Sequence, residues 1–341
     1  MLVSFCVIAY NEERTLMSLF KDICAQDYPH ENMEVVLVNA MSTDKTREMM
    51  EEFAQEELGF HCVVGPANPK KKQAAGWNVA IRESQGDIIM RIDAHTQVPK
   101  EFVSKNVECL MGGEYVSGGP RPNIAEENIP WKHTLQLAES SMFGSSIAAY
   151  RRSHCRTYVK SVFHGAYRRE VFEKVGLFNE DLGRTEDNEI HYRIIRAGYR
   201  IRYVPDIISY QHTRNTWKGM IRQKYENGYW VGLTTGVAPG CLSLYHFVPF
   251  VFVLAIICAI CLAVFGNPIC LIVLSCIYGI ANIVMSLAAV IHEKKYWQYI
   301  MLPFIFLSLH TAYGMGTVIG ICKMPFWHHK IKKKGASHEE L

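Results

Sequence analysis

The first hundred residues alternate between short, continuously apolar runs and longer stretches with helical spacing. Val3–Ala9 is apolar and ends at Tyr10-Asn11-Glu12. From Glu13 to Gln26 the apolar positions Leu16, Leu19, Phe20 and Ile23 follow the helical period, which predicts a helix with one buried face. Glu34–Val38, Cys62–Gly65 and Asp87–Ile92 repeat the strand signature. Thr46–Leu58 and Gln73–Ser84 repeat the helical one, with Ser42-Thr43-Asp44 as turn and cap before the first of them. Strands apolar on both faces, alternating with helices, predict a mostly parallel α/β sheet, doubly wound and covered on both sides. Ligands in such sheets bind beyond the carboxyl ends of the strands. Asn11, Asn39 and Asp93 fall there.

The pattern changes near residue 240. From Leu242 to Ile291 there is no Asp, Glu, Lys or Arg. Leu242–Gly266, Pro268–Ile291 and Gln298–Cys322 each exceed the roughly 20 apolar residues of a bilayer crossing. Asn267 alone joins the first two, which predicts a tight hairpin. Pro303, His310, Gly314, Gly316 and Gly320 interrupt the third, which predicts a bent or re-entrant helix. The basic clusters at 292–295 and 328–334 both favour the cytoplasmic side. Three simple crossings would separate them; two crossings with a re-entrant or interfacial segment would not. Three parts result: a soluble domain over 1–235, a membrane region over 236–325 and a basic tail over 326–341. A multi-pass protein of the cell membrane with its soluble domain in the cytoplasm is the expectation. Trp217–Trp230 is basic and aromatic, and suits either a membrane-interface helix or a surface helix packed on the domain.

Composition adds exclusions. Net charge is +3, which gives no footprint for nucleic acid. The eleven cysteines are odd in number and scattered, and five lie in apolar runs, so free thiols are expected; Cys258-Ala-Ile-Cys261 sits inside a membrane-length segment. The chain carries no G-x-G-x-x-G after its first strand, no Walker loop and no G-x-S-x-G, which argues against a dehydrogenase, a P-loop NTPase and an α/β-hydrolase. The apolar segments lack the charged residues of a transport pathway.

Asp93-Ala94-His95 places a carboxylate and an imidazole at a strand's end, a pair suited to Mn²⁺ or Mg²⁺ with diphosphate oxygens completing the shell. Glu186-Asp187 opens a predicted helix behind Thr185, where acidic residues also serve as ordinary dipole partners. Lys70-Lys71-Lys72 suits either a solvated loop or a diphosphate counter-charge. His212, after a strand-like Ile201–Tyr210, is a candidate third metal ligand. His164, His191 and His310 receive no role.

Taken in order, Val3-Ser-Phe-Cys-Val-Ile-Ala-Tyr-Asn-Glu-Glu13, Ser42-Thr-Asp44, Gly86-Asp-Ile-Ile-Met-Arg-Ile-Asp-Ala-His95 and Glu186-Asp187 resemble the family 2 glycosyltransferases of GT-A fold, over residues 1 to about 235. Asp-Ala-His, Ala-Met-Ser-Thr-Asp and the hydrophobic C-terminus look most like the succinoglycan-biosynthesis glucosyltransferase type. The resemblance implies that Ala9, Tyr10 and Glu12 line a nucleotide pocket. It puts Asn39 in the place of a base-binding aspartate and Asn78 beside the diphosphate. Asp93 and His95 would hold the metal–diphosphate, and Asp187 would be the catalytic base with Glu186 beside it. It further implies a nucleoside-diphosphate sugar donor, expected to be UDP-linked, and a polyprenyl-diphosphate-linked saccharide acceptor in the membrane lipid, in exopolysaccharide or capsule synthesis. Asn39-Ala40 departs from the usual acidic pair. Gln223-Lys-Tyr-Glu-Asn-Gly-Tyr-Trp230 departs from the Q-x-x-R-W of processive synthases, which favours addition of a single sugar. The competing reading is a catalytically weak, nucleotide-binding membrane scaffold of the same fold.

Overall fold

A computed structural model describes residues 1–124, 129–144, 155–212, 216–293 and 296–339. The chain forms two compact units, one of residues 1–122 and 149–212, the other of 123–148 and 213–341. This differs from the division at 235, because residues 123–148 and 213–235 join the membrane-length helices.

In the first unit, β1 (Val3–Ala9), α1 (Leu16–Cys24), β2 (Met33–Asn39), α2 (Thr46–Ala54), β3 (His61–Val64), α3 (Gln73–Glu83) and β4 (Ile88–Asp93) follow the sequence pattern closely. Next come β5 (Thr96–Gln97), α4 (Phe102–Met111) and β6 (Val116–Gly118). The second unit opens with β7 (Asn123–Ile124) and α5 (Pro130–Ser140). The chain then returns to the first unit with β8 (Thr157–Val159), β9 (Ala166–Arg168), α6 (Arg169–Val175), α7 (Glu186–Arg196), β10 (Ile201–Tyr203) and β11 (Tyr210–His212). Strand order is β3-β2-β1-β4-β9-β6-β10-β8. β1 to β4 are mutually parallel, as are β6 and β10, while β9 and β8 run antiparallel. The expected single strand Ile201–Tyr210 is two: β10 stays in the large sheet, and β11 pairs antiparallel with β5 beyond it.

Alternation along the strands sorts side chains to two buried layers. Phe5, Val7, Met90 and Ile92 pack with Leu16, Phe20 and Phe53 on one face; Cys6, Val36 and Ile89 pack with Trp77, Tyr167, Phe178 and Ile190 on the other.

The second unit continues with α8 (Trp217–Thr234), α9 (Val248–Val264), α10 (Ile269–Val290) and α11 (Leu302–Glu339). Among the described residues three helices are long and apolar enough to cross a membrane, within Leu244–Val264, Ile269–Val290 and Trp297–Ile331. The hairpin between α9 and α10 turns on Gly266 at φ +94°, with Asn267 N–H donating to Leu262 O at 2.9 Å. The third segment corrects the expectation of an interrupted helix: α11 is continuous, and Pro303 falls in its first turn, where a missing N–H costs little. Its glycines are contact positions. A Cβ on Gly316 or Gly320 would collide with Tyr225 O or Tyr229 O of α8, and one on Gly228 or Gly232 with Tyr313 O or Thr317 O of α11. Spacing of four on both helices allows this close backbone approach. Leu135 and Ala138 of α5 pack with Leu302, Ile305, Phe306 and Leu309, and Trp217 Nε1–H donates to Ser308 Oγ at 2.9 Å. Within this unit α8 is therefore a packed partner of α11. All eleven cysteines are free.

Candidate active site

The carboxyl ends of β1, β2 and β4 carry the predicted residues. Three non-glycine residues with left-handed backbone cluster in the loops that follow strands or precede α3: Asn11 (φ 56°), Met41 (φ 60°) and Lys71 (φ 53°). Such conformations cost energy and persist where surrounding contacts fix them. Asn11 Oδ1 accepts from Thr43 N at 2.8 Å, and Asn11 N donates to Ser42 Oγ at 3.0 Å. Asp44 Oδ1 accepts from Thr46 N and its Oδ2 from Glu13 N, so the predicted turn and cap also ties the β1 loop to α2. Asn39 is 5% exposed; its Oδ1 accepts from Ser42 N at 3.0 Å, which turns the amide N–H side toward any further partner. Ala9 is buried and its carbonyl accepts from Ala40 N, whereas Tyr10 is exposed with the Lys71 ammonium 5.3 Å from its ring centre.

Asp93 and His95 do come together with Glu12. His95 Nδ1–H donates to Glu12 Oε1 at 3.2 Å, and Gln211 Nε2–H donates to His95 Nε2 at 2.8 Å. Asp93 Oδ1 accepts from Gln73 Nε2 at 3.1 Å, and Oδ2 lies 3.5 Å from His164 Nε2. Burial works against the Asp93 charge, but the hydrogen bond and charge of His164, then the charges of His95 and Arg91, outweigh it and hold the carboxyl well below its usual range. Burial also pushes the His164 imidazole down, toward the neutral form. Nothing in the sequence marked His164; the fold brings it there through β9 and anchors it by Ser209 Oγ at 2.8 Å.

Asp93 and His95 offer one oxygen and one nitrogen donor. Among the described residues no group of three His, Cys, Asp or Glu side chains has metal-ligand geometry. This set fits a hard divalent cation whose remaining ligands come from a diphosphate. Gln211 must release Nε2 for His95 to ligate. His212 ends β11, but its side chain lies outside the described residues.

Glu186 and Asp187 open α7, where free backbone N–H groups favour negative charge. Burial, and then the neighbouring Asp187 charge, push the Glu186 carboxyl up to about 7. Burial raises Asp187 as well, opposed by Arg91 and by the Asn188 N–H, which donates to Oδ1 at 2.8 Å. The pair thus holds a proton at neutral pH more readily than exposed carboxylates do.

Asn78, expected beside the diphosphate, is 2% exposed and committed elsewhere. Its Nδ2 donates to Phe178 O and Glu180 Oε1, both at 2.9 Å, and Oδ1 accepts from Phe178 N at 2.8 Å. It acts on the site by fixing the loop before α7. Lys70 pairs with Glu180, and Lys72 Nζ donates to Glu180 O and Asp181 O. Of the lysine run, Lys71 is the one that reaches over Tyr10.

The order of this sheet and the helices that cover it are those of a GT-A fold. Residues 4–176, just over half of the chain, match the family described as Glycosyl transferase family 2, and the chain belongs to it. It is similar, at 24% identity over 94% of its length and 97% of the other's, to a dolichyl N-acetyl-α-D-glucosaminyl phosphate 3-β-D-2,3-diacetamido-2,3-dideoxy-β-D-glucuronosyltransferase of Methanococcus voltae. It is also 30% identical to the succinoglycan biosynthesis protein ExoA of Rhizobium meliloti, over 50% of this chain and 51% of that one. The chain thus spans nearly all of the first relative and about half of the second. A mannosyltransferase of Pyrobaculum calidifontis, solved with GDP-Man and Mn²⁺, shares the fold with a TM-score of 0.63 at 18% identity, covering 93% of this chain and 86% of that one.

Proposed function

We propose that this glycosyltransferase moves a single sugar from a UDP-linked donor, with inversion, onto a polyprenyl-diphosphate-linked saccharide in exopolysaccharide or capsule synthesis. What supports the reading is that Asp93 ends β4 with His95 just beyond it, while Glu186 and Asp187 open α7. Asp187 takes the proton of the acceptor hydroxyl as its oxygen attacks the anomeric carbon and the bond to the nucleoside diphosphate breaks. One displacement by one base inverts the centre, unlike the paired carboxylates of a retaining hydrolase. Asp93 and His95 would hold Mn²⁺ or Mg²⁺, which when bound offsets the charge of the departing diphosphate. Gln73 and His164 orient Asp93 for that task, and Glu12 orients His95.

The lipid-linked acceptor is supported by the three membrane-length helices and by the dolichyl phosphate substrate in the name of the Methanococcus relative. The uracil assignment rests on Asn39, whose Oδ1 is held by Ser42 N so that its amide N–H side suits a pyrimidine carbonyl. The basic cluster at 292–295, which follows two membrane-length helices after the first unit, supports a multi-pass protein with this site on the cytoplasmic face of the cell membrane.

The test is nucleoside diphosphate release by the full chain in detergent, with Mn²⁺, across UDP-glucose, UDP-N-acetylglucosamine and GDP-mannose. Asp187→Asn should lower turnover by about 10²–10⁴-fold with donor binding kept. Normal turnover in that variant would remove Asp187 from the mechanism. Turnover of GDP-mannose alone would overturn the base assignment. No turnover of any donor by a protein that binds nucleotide would favour the scaffold reading.

A further inference from the structure

Within the second unit, α11 passes across the hairpin of α9 and α10. On α10, Asn282 Nδ2 donates to Pro303 O at 2.9 Å. Four residues nearer the hairpin turn, Tyr278 Oη donates to His310 Nδ1 at 3.0 Å, and the other nitrogen of that ring donates to Phe143 O. On α9 the contact is at the far end from the turn: a Cβ on Gly314 would collide with Pro249 O, in the first turn of the helix. Followed along α11, the contacts run first toward the turn at Gly266 and then away from it. The helix therefore leaves the hairpin beyond the start of α9. Nearer the turn, Ile269, Ile272, Val273 and Ile277 stay exposed.

Past the hairpin, α8 accompanies α11 in parallel. Trp217 meets Ser308, Tyr225 O faces Gly316, Tyr229 O faces Gly320, and a Cβ on Gly236 would meet Met324. The rings of Trp230 and Trp327 pack edge to face, 6.0 Å between centres, and the Lys323 ammonium lies 5.7 Å from the Tyr229 ring centre. This register sets the charges of α8 beside α11. Lys218 and Arg222 are exposed between the contacts at Ser308 and Gly316. The Arg222 side chain is 81% exposed and pairs with Glu226 along the helix at 3.0 Å. Those contacts fall in the middle of the expected segment Gln298–Cys322. If that segment crossed a bilayer, a guanidinium would face hydrocarbon, where charge is expensive. Length argues the same way. At 1.5 Å per residue the 38 residues of α11 run about 57 Å, nearly twice the roughly 30 Å of hydrocarbon. One stripe of α11 stays exposed and apolar along its course, at Phe304, Leu307, Met315 and Phe326, with exposed Lys323 and Lys330 among the residues of its last turns.

We propose that α11 lies along the membrane surface with α8, and that the chain crosses the bilayer twice, through α9 and α10. The apolar stripe of α11 enters the boundary between headgroups and acyl chains, and Lys218, Arg222, Lys323 and Lys330 meet phosphate headgroups. The basic clusters at 292–295 and 328–334 then share one side of the membrane. This rests on the crossing of the α9–α10 hairpin, the multi-pass part of the proposed function, and is independent of the donor and acceptor.

The experiment is protease accessibility in sealed membrane vesicles of the full chain carrying one epitope tag at a time: at the N-terminus, between Gly266 and Asn267, or at the C-terminus. The two terminal tags should be cleaved from the same side and the tag at Gly266 from the other. Terminal tags on opposite sides mean three crossings and overturn the proposal. A tag at Gly266 on the N-terminal side overturns the crossing hairpin itself, and the multi-pass reading with it. Depth is read from two residues of matching exposure, Met315 at 40% on α11 and Ile257 at 41% on α9. Ile257→Lys puts an ammonium in hydrocarbon and should lower the yield of membrane-inserted protein about tenfold. Met315→Lys, whose ammonium reaches the headgroups, should leave the yield within about twofold of the wild type. Equal effects of the two variants set α11 at the depth of the hairpin, as in a re-entrant segment, and overturn the proposal.

Discussion

His95 donates its Nδ1–H to Glu12 across the ends of β4 and β1, at 3.2 Å, while Gln211 donates to the other ring nitrogen. The pair fixes both the tautomer and the plane of the imidazole, in the way that carboxylates orient metal-binding histidines. Glu12→Gln should therefore raise the Mn²⁺ concentration for half-maximal nucleoside diphosphate release about 10- to 100-fold. A Mn²⁺ titration reads this directly, and an unchanged midpoint would mean that Glu12 does not support a ligand.

Glu186 gives a pH dependence of stability with a definite sign. Its folded-state value, pushed up to about 7 by burial and by Asp187, lies above its ordinary carboxylate value. The stability associated with the protonated form is present below the ordinary value and is lost as pH rises toward about 7. Glu186→Gln, which cannot ionise, should gain on the wild type between pH 5 and pH 8, by at most about 3 kcal/mol. Thermal melts at the two pH values test it; a constant difference would show that Glu186 ionises normally.

Asn78 holds the loop before α7 by three hydrogen bonds from a site that is 2% exposed. Asn78→Ala leaves the N–H and C=O of Phe178 without that partner and should cost about 1–3 kcal/mol. Because Lys70 and Lys72 grip the same loop at Glu180 and Asp181, donor KM should rise as well. Lower stability with an unchanged KM would confine Asn78 to the scaffold.

The helix pair α8–α11 depends on the absence of side chains at Gly228 and Gly232. Gly228→Leu should force the helices apart and destabilise the second unit by about 1–3 kcal/mol, as overpacking does elsewhere. Its melting transition in detergent should fall, while Gly279→Leu, at a glycine with open space around it, should leave the transition in place. Equal effects of the two would argue against the interlock.

Local pattern carried much of this protein. Apolar runs and helical periodicity alone determined β1 to β4 and α1 to α3 to within a few residues, because burial on both faces demands continuous apolar strands. Composition alone determined the membrane-length segments, and the ordered motifs pointed to the family. The tertiary structure decided what depends on contacts distant in sequence. It split Ile201–Tyr210 between two sheets, since a strand's partner is not written in its own residues. It turned the glycines of α11 from suspected breaks into contact points, because only the approach of α8 gives them that use. It withdrew Asn78 into a loop clamp and brought the unmarked His164 beside Asp93, 71 residues earlier in the chain. The place of Arg91 in an apolar strand is visible in the sequence, but the Trp77 and Phe178 rings around its guanidinium are set by how β4, α3 and the loop before α7 pack.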